Sequence, residues 1–308
     1  MGMSIIEYVS HSDISGQQWD QCISRSFNGS IEAYSWFLNL FCEQWDALIE
    51  GNYKTVMPLP VKKRLGQNMI YMPPFIRQLG IYSPEHISLK RTTDFLDLLK
   101  RKFRVVNIDI NKYTPIPEGI FPVSPEVFYE LDLIRPYLRT VREYSTECKN
   151  RIHLASARQY SIISGLAPND IITFLKREQI RTEQAIMPND YKMLRMLIAS
   201  LVRYKAGELY GVYDRVNMLS CVAIFVWSNT SAILIFAAAT PKAIEDNAHM
   251  LLYDRFIEKY SETNITLNFE YRDIHHSPAM YAGFGTTESH FQRIRINRLP
   301  FFIRPFFR

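Results

Sequence analysis

The stretch SCVAIFVWSNTSAILIFAAAT, Ser220–Thr240, decides how the rest of the chain is read. A membrane-crossing helix needs about 20 continuous apolar residues, yet here Ser228, Asn229, Thr230 and Ser231 would fall near mid-bilayer. As two strands, CVAIFVW and AILIFAAA, the same residues need nothing unusual. Each run has strand length, and Ile, Val and Phe suit buried pleated positions. The segment therefore reads as a buried β-hairpin with a polar turn, and the membrane reading falls.

Working outward, a third extended run, Glu208–Tyr213, precedes this pair, so the rear half holds Glu208–Tyr213, Met218–Trp227 and Ala232–Ala239. Helical patterns at Pro168–Arg177 and Tyr191–Lys205 come before them. A helix at Lys242–Tyr260 and a strand at Ile265–Glu270 come after. Ile244, Ala248, Leu251, Leu252 and Phe256 recur at helical spacing, with Glu245, Asp246, Asp254 and Glu258 largely on the other face. Further upstream stand Val127–Leu133, a helix at Ile134–Ala157 that Pro136 can start, and a strand at Tyr160–Ser164. A last strand, Phe291–Ile296, leads into a basic-aromatic segment.

The front half follows the same plan. After a strand at Ile5–Val9 come helices at Ser15–Ser26 and Glu32–Phe41, then extended runs at Trp45–Glu50, Tyr53–Arg64 and Met69–Ser83, broken by glycine-bearing turns. Pro58, Pro60, Pro73 and Pro74 cannot donate to a ladder, so bulges or splaying are expected there. A helix at Ile87–Lys102 and a strand at Phe103–Ile110 complete the set. The recurrence predicts two α/β (α+β) domains, residues 1–125 and 126–308, each a mixed, mostly antiparallel sheet flanked by helices.

Composition agrees. The 308 residues suffice for about two domains, and 47% hydrophobic against 22% charged residues excludes wholesale disorder. A net charge of +5 is mild for a nucleic-acid protein. Cys22, Cys42, Cys148 and Cys221 stand apart, without the spacing of a disulfide framework or a zinc site. The start MGMSIIEYVS lacks a basic region followed by a long apolar run. A cytoplasmic protein with reduced thiols and no transmembrane segment is expected.

Four stretches carry a resemblance: AYSWFLNLFCEQWDAL (Ala33–Leu48); MPLPVKKRLG with YMPPFIRQLGIY (Met57–Tyr82); YELDLIRPYLRTVREYSTECKNRI (Tyr129–Ile152); and LNFEYRDIHHSPAMYAGFG through RINRLP (Leu267–Pro300). In this order they resemble the FemAB-like group within the GNAT (acyl-CoA N-acyltransferase) fold, and a bacterial branch of it. The resemblance implies tandem GNAT-like domains. It also implies an N-acyltransferase that moves an acyl group from an acyl-CoA-like donor to a small-molecule or peptide amine. A FemX-type transferase using aminoacyl-tRNA and a non-catalytic binding protein on the same fold are the alternatives. The tRNA reading would call for a coiled-coil arm or a basic swath.

In such folds the donor's pyrophosphate rests where a strand gives way to a helix. The matching junction is Ala239–Ala248. Thr240 is suited to cap the helix and Pro241 to its first position, and Thr240, Lys242, Asn247 and Ala248 are the expected coenzyme A contacts. Ile244 and Asn247 stand where the family carries Arg or Gln and then Gly. Glu270, ending the strand ITLNF, is the expected base, since half-burial raises a carboxylate toward neutrality. The alternative is a structural ion pair with Arg272 or a later arginine.

His275–His276 is expected to be a loop pair, because adjacent strand histidines face opposite ways, and no metal site is expected. Tyr34, Trp36, Tyr71 and Gln78 are candidates to line an acceptor cleft between the lobes, against an ordinary core role. Gln78, flanked by Ile76, Leu79 and Ile81, needs a partner if buried. The closing INRLPFFIRPFFR reads first as a segment that covers its own protein or a twin subunit, which leaves a homodimer open. An anionic surface and nucleic acid are the other readings.

Overall fold

The hairpin is present as two antiparallel strands, Leu219–Ser228 and Ser231–Ala239, paired from Ser231↔Ser228 to Ala239↔Cys221. Asn229 turns the chain at φ 52, a left-handed conformation that Asn tolerates. Every residue from Leu219 to Val226 is buried. No helix among the described residues is long and apolar enough to cross a membrane. The structure, a computed structural model, describes residues 5–182, 188–269 and 278–307. By internal contacts the chain forms two units, residues 1–127 with 289–308, and residues 128–288.

The first unit contains β1 (Ile6–Val9), α1 (Gly16–Arg25), α2 (Ser35–Phe41), β2 (Gln44–Glu50), β3 (Thr55–Arg64), β4 (Gln67–Ile70), α3 (Leu89–Lys102) and β5 (Val105–Ile110). Strands β1 to β4 run antiparallel in chain order, and β4 meets β5 in parallel at Ile70↔Val106. Trp19 and Trp45 meet in its core with ring centroids 4.8 Å apart. Their indole N–H groups are satisfied by Ala33 O and Asn39 Oδ1, each at 2.7 Å.

Pro58 and Pro60 sit within β3, opposite Ala47 and Trp45. Val56 exchanges both backbone bonds with Tyr82, so residues of the same parity direct their backbone nitrogens away from β2. The missing N–H groups thus fall where the next chain leaves the sheet. The strand expected over Met69–Ser83 is only β4. After it come Pro73, Pro74 and Phe75 at φ 61, and the chain rejoins through bridges at Leu79↔Ile110 and Val56↔Tyr82.

The second unit takes up β6 (Val123–Asp132) from Phe128 onward and continues with α4 (Tyr137–Glu143), α5 (Thr146–Ser156), β7 (Ser161–Ser164), α6 (Pro168–Thr182), α7 (Pro188–Tyr204) and β8 (Gly207–Tyr213). The hairpin strands β9 and β10 follow, then α8 (Pro241–Glu245), α9 (Ala248–Tyr260), β11 (Thr266–Phe269) and α10 (Pro278–Ala282). The strand order is β6–β11–β10–β9–β8–β7, antiparallel except where β10 meets β11. That parallel step needs a crossover, which α8 and α9 supply. Phe256 of α9 stacks on Phe225 of β9 at 4.0 Å.

Two expected helices are each two. Ile134–Ala157 is broken at Tyr144, whose backbone is extended, and restarts where the Ser145 hydroxyl accepts from Cys148 N–H at 3.1 Å. Lys242–Tyr260 is broken at Asn247, which adopts φ 58. The segment Ser289–Arg308, expected in the second domain, belongs to the first unit. The reason is β12 (Thr287–Asn297), which pairs antiparallel with β5 from Gln292↔Ile110 to Asn297↔Val105. Arg293 fixes that register through both carboxylate oxygens of Asp109, at 2.6 and 2.7 Å.

Candidate functional site

The hairpin ends at a strand–helix junction. Thr240 N–H donates to Ser220 O at 2.8 Å, and the Thr240 hydroxyl accepts from Ala243 N–H at 3.1 Å as the cap of α8. Pro241 has no N–H, and Ile244 N–H already bonds Thr240 O at 3.0 Å. Of the first-turn amides that an anion would use at an open helix start, those of Ala243 and Ile244 are taken and Pro241 has none, which leaves Lys242 N–H. An anion arriving here meets mainly side chains, with at most one first-turn amide beside them.

A cavity of about 710 Å³ opens at this junction. Its wall carries Arg158 from beyond α5, Arg177 from α6, Arg215 from the β8–β9 turn and Lys242 from α8, with Asp214 and Asp246 as the acids. The Arg215 turn is held by Asp214 Oδ1, which accepts from Val216 N–H at 3.0 Å and Met218 N–H at 2.8 Å. Arg215 Nε donates to Arg158 O at 3.3 Å, tying the two arginine segments together. Arg177 pairs through Nε with Glu178 Oε1 at 2.9 Å and donates from a terminal nitrogen to Leu219 O.

Asp246 organises the other wall. It accepts from Tyr160 O–H at 3.0 Å, with Lys242 Nζ at 3.2 Å and Arg158 Nε at 3.9 Å. Burial opposes its charge, but the Tyr160, Lys242 and Arg158 contacts prevail and hold its carboxyl below the usual range. A carboxylate so held is a poor proton acceptor near neutrality. Burial and the same carboxylate push the Tyr160 phenol up, so it stays a donor. Hydrogen bonds to Glu245 and Asp246 raise the Lys242 ammonium, which stays charged. The wall offers charge-bearing groups for an anion and no poised base among the described residues.

Of the residues expected at the junction, Thr240 and Lys242 line the cavity. Asn247 begins α9 in the left-handed conformation, its side chain donating to Glu245 O at 3.4 Å, and Ala248 is fully buried in the core. Glu270 and His275–His276 lie outside the described residues. Sequence reasoning missed Arg158, Tyr160, Arg177 and Arg215. They come from separate loops and elements, and no spacing announces them.

Tyr34, Trp36, Tyr71 and Gln78 all belong to the first unit. Tyr34 caps α2 and is half-buried, Trp36 meets Phe37 edge-on at 5.4 Å, and Lys62 lies 4.6 Å above the Tyr71 ring. Gln78 is buried with its Nε2 lacking a hydrogen-bond partner. Beside it is a carboxylate the sequence reading passed over. Glu32 is 2% exposed and accepts from the backbone N–H groups of Arg77, at 2.5 Å, and Gln78. Burial pushes its carboxyl up to about 7, against those bonds and the Arg77 charge, with Asp109 adding to the rise.

Neither a protein-family model nor a curated protein sequence matches the chain. Solved structures do. FemX is similar with a TM-score of 0.69 at 12% identity, over 98% of this chain and 100% of that one. A conserved protein of unknown function from Bacteroides thetaiotaomicron is similar at 0.58 and 9% identity, over 96% and 100%. L-PGS from Bacillus licheniformis is similar at 0.51 and 8% identity, over 85% and 87%. The chain therefore has the FemX-like, tandem GNAT-like fold that its sequence motifs suggested.

Proposed function

We propose that the protein is an N-acyltransferase whose second unit holds the phosphate-bearing end of an activated acyl donor, with an amine as acceptor. The observation that carries this reading is the cavity at the end of β10, where Arg158, Arg177, Arg215 and Lys242 converge on a strand–helix junction. A coenzyme A thioester fits that donor set through side-chain charge. When bound, such a donor supplies the activated acyl group. The cations would fix its phosphates, and Glu270, next in sequence after the buried Phe269, is the proposed base for the acceptor amine.

The test is thermal stability of the protein with coenzyme A, acetyl-CoA and longer acyl-CoAs. A ligand at 100 times its Kd adds about 2.7 kcal/mol, which wild type should show as a raised Tm and the Arg177→Gln/Arg215→Gln double variant should not. No shift with any of these ligands would overturn the coenzyme A assignment. For the base, Glu270→Gln should lower acyl transfer by about 10²–10⁴-fold while leaving donor binding intact.

A second reading draws on the similarity to FemX across nearly the whole chain. In it the donor is an aminoacyl-tRNA, and the same cations meet its phosphates. Filter binding at two salt concentrations separates the readings. Phosphate contacts to tRNA weaken steeply with salt, and weak binding at both would remove this one.

A further inference from the structure

Three segments of the first unit meet at one end of its sheet. The parallel pair Ile70↔Val106 sets Met69 beside Val105, so the β3–β4 turn projects past the start of β5. The pair Asn297↔Val105 brings the end of β12 to the same place. Met69, Val105 and Leu299 form a small buried cluster with Ile303 packed against it. Arg298 N–H donates to Arg104 O at 2.9 Å, and its guanidinium donates to Phe103 O at 2.9 Å and to Lys100 O. The closing segment is thus tied to the α3–β5 corner.

Large apolar side chains stand out to solvent here. Leu65 is 70% exposed, Phe301 81%, Phe302 63% and Phe306 55%. Around them run KKRLGQN (62–68), KRKFR (100–104) and RLPFFIRPF (298–306). These segments hold nine of the chain's 36 Lys and Arg and none of its 31 Asp and Glu. The other 27 cations face all 31 acids, so outside this corner the chain is net negative. The acid closest in sequence is Asp97, one turn before Arg101 on α3.

We propose that this corner is a docking surface for an anionic lipid membrane, with Leu65 and the phenylalanines entering the interface and exposed cations such as Lys63, Arg64, Arg101 and Arg104 lying over lipid phosphates. The complementarity is that of an interfacial anchor, apolar tips ringed by positive charge. A single-stranded nucleic acid would want flat aromatic faces, but Phe301 and Phe302 meet edge-to-face at 88° and Leu65 offers no ring. A second copy docking the same patch would oppose nine cations to nine more.

The test is co-sedimentation of the full chain with vesicles of phosphatidylcholine alone and of phosphatidylcholine mixed with phosphatidylglycerol. Binding is expected to the anionic vesicles only, and to weaken between about 0.1 M and about 1 M salt as the Debye length shrinks. Lys63→Gln/Arg64→Gln should cost roughly fivefold in partitioning per charge removed. Phe301→Ser/Phe302→Ser should abolish binding with Tm unchanged, since both rings are exposed. No binding to anionic vesicles, or equal binding to both kinds, overturns the proposal. So does tighter binding of a short single-stranded RNA that the phenylalanine variant loses, or a dimer in sedimentation velocity that the same variant dissolves.

Discussion

Glu32 shows what a single residue can carry that a sequence pattern conceals. In IEAYSW it reads as one acid in a helical run, yet the fold buries it against the backbone of Arg77 and Gln78. Its carboxyl rises from an ordinary 4.5 to about 7, so the folded chain holds the proton more tightly than the unfolded one. The stability this gives is complete below about pH 4.5 and is lost as pH rises through about 7, on the order of 3 kcal/mol. Glu32→Gln, which is neutral throughout, should match wild type in acid. Above about pH 7 it should be the more stable of the two, read as Tm against pH. Gly80 carries a steric requirement. A Cβ there would lie 2.6 Å from Asn111 Nδ2 and 2.8 Å from Thr114 Oγ1, and the Thr114 hydroxyl also receives Ile81 N–H at 3.1 Å. Gly80→Ala should therefore cost about 1–3 kcal/mol in urea unfolding. Gln78 could be singled out from sequence because an amide among apolar neighbours demands a partner. The carboxylate beside it could not, because only the fold brings residues 32 and 78 together.

Among elements, periodicity located nearly every helix and strand, and misjudged where helices stop. The apolar spacing from Ile244 to Phe256 runs straight through Asn247, because a break of one residue shifts the buried face without erasing the pattern. The signal present was chemical. Asn is the side chain that best tolerates the left-handed backbone that Gly would take, and Asn247 is at φ 58. Asn247→Gly should leave stability unchanged or slightly raised, whereas Asn247→Leu should cost about 1–2 kcal/mol, read as the difference in Tm between the two variants. At Tyr144–Ser145 the clue was likewise a cap, Ser145 with Glu147 in the following first turn. Asp254, read as solvent-facing, instead accepts from Tyr137 O–H at 2.8 Å and Tyr144 O–H at 3.0 Å, tying α9 to α4 and the turn after it. Asp254→Ala would strand both phenols, one of them nearly fully buried, and should lower stability by about 2–4 kcal/mol.

At the scale of the whole chain, the repeated element order was legible because each half alternates strand and helix patterns with short turns. The exchange of the closing strand was not, since β12 looks like a plain amphipathic strand until its partner is known. That exchange makes the two units unequal in how they can fold. Residues 128–288 are contiguous, and their sheet from β6 to β7 and its cover of helices are complete within that span. Residues 1–127 lack the strand that pairs with β5 over six positions, and they lack Arg293. Without Arg293, Asp109 is a carboxylate only 5% exposed with its guanidinium partner gone. Breaking such a buried pair costs about 3–5 kcal/mol, a large part of the ~5–15 kcal/mol that holds a domain folded. A fragment spanning Phe128–Glu288 should therefore melt cooperatively by circular dichroism, while one spanning Met1–Val127 should not. Adding a peptide of Ser289–Arg308 to the latter should restore a transition, and the same peptide carrying Arg293→Ala should restore it poorly. A cooperative melt from the isolated 1–127 fragment would show that β12 covers an edge the first unit does not need.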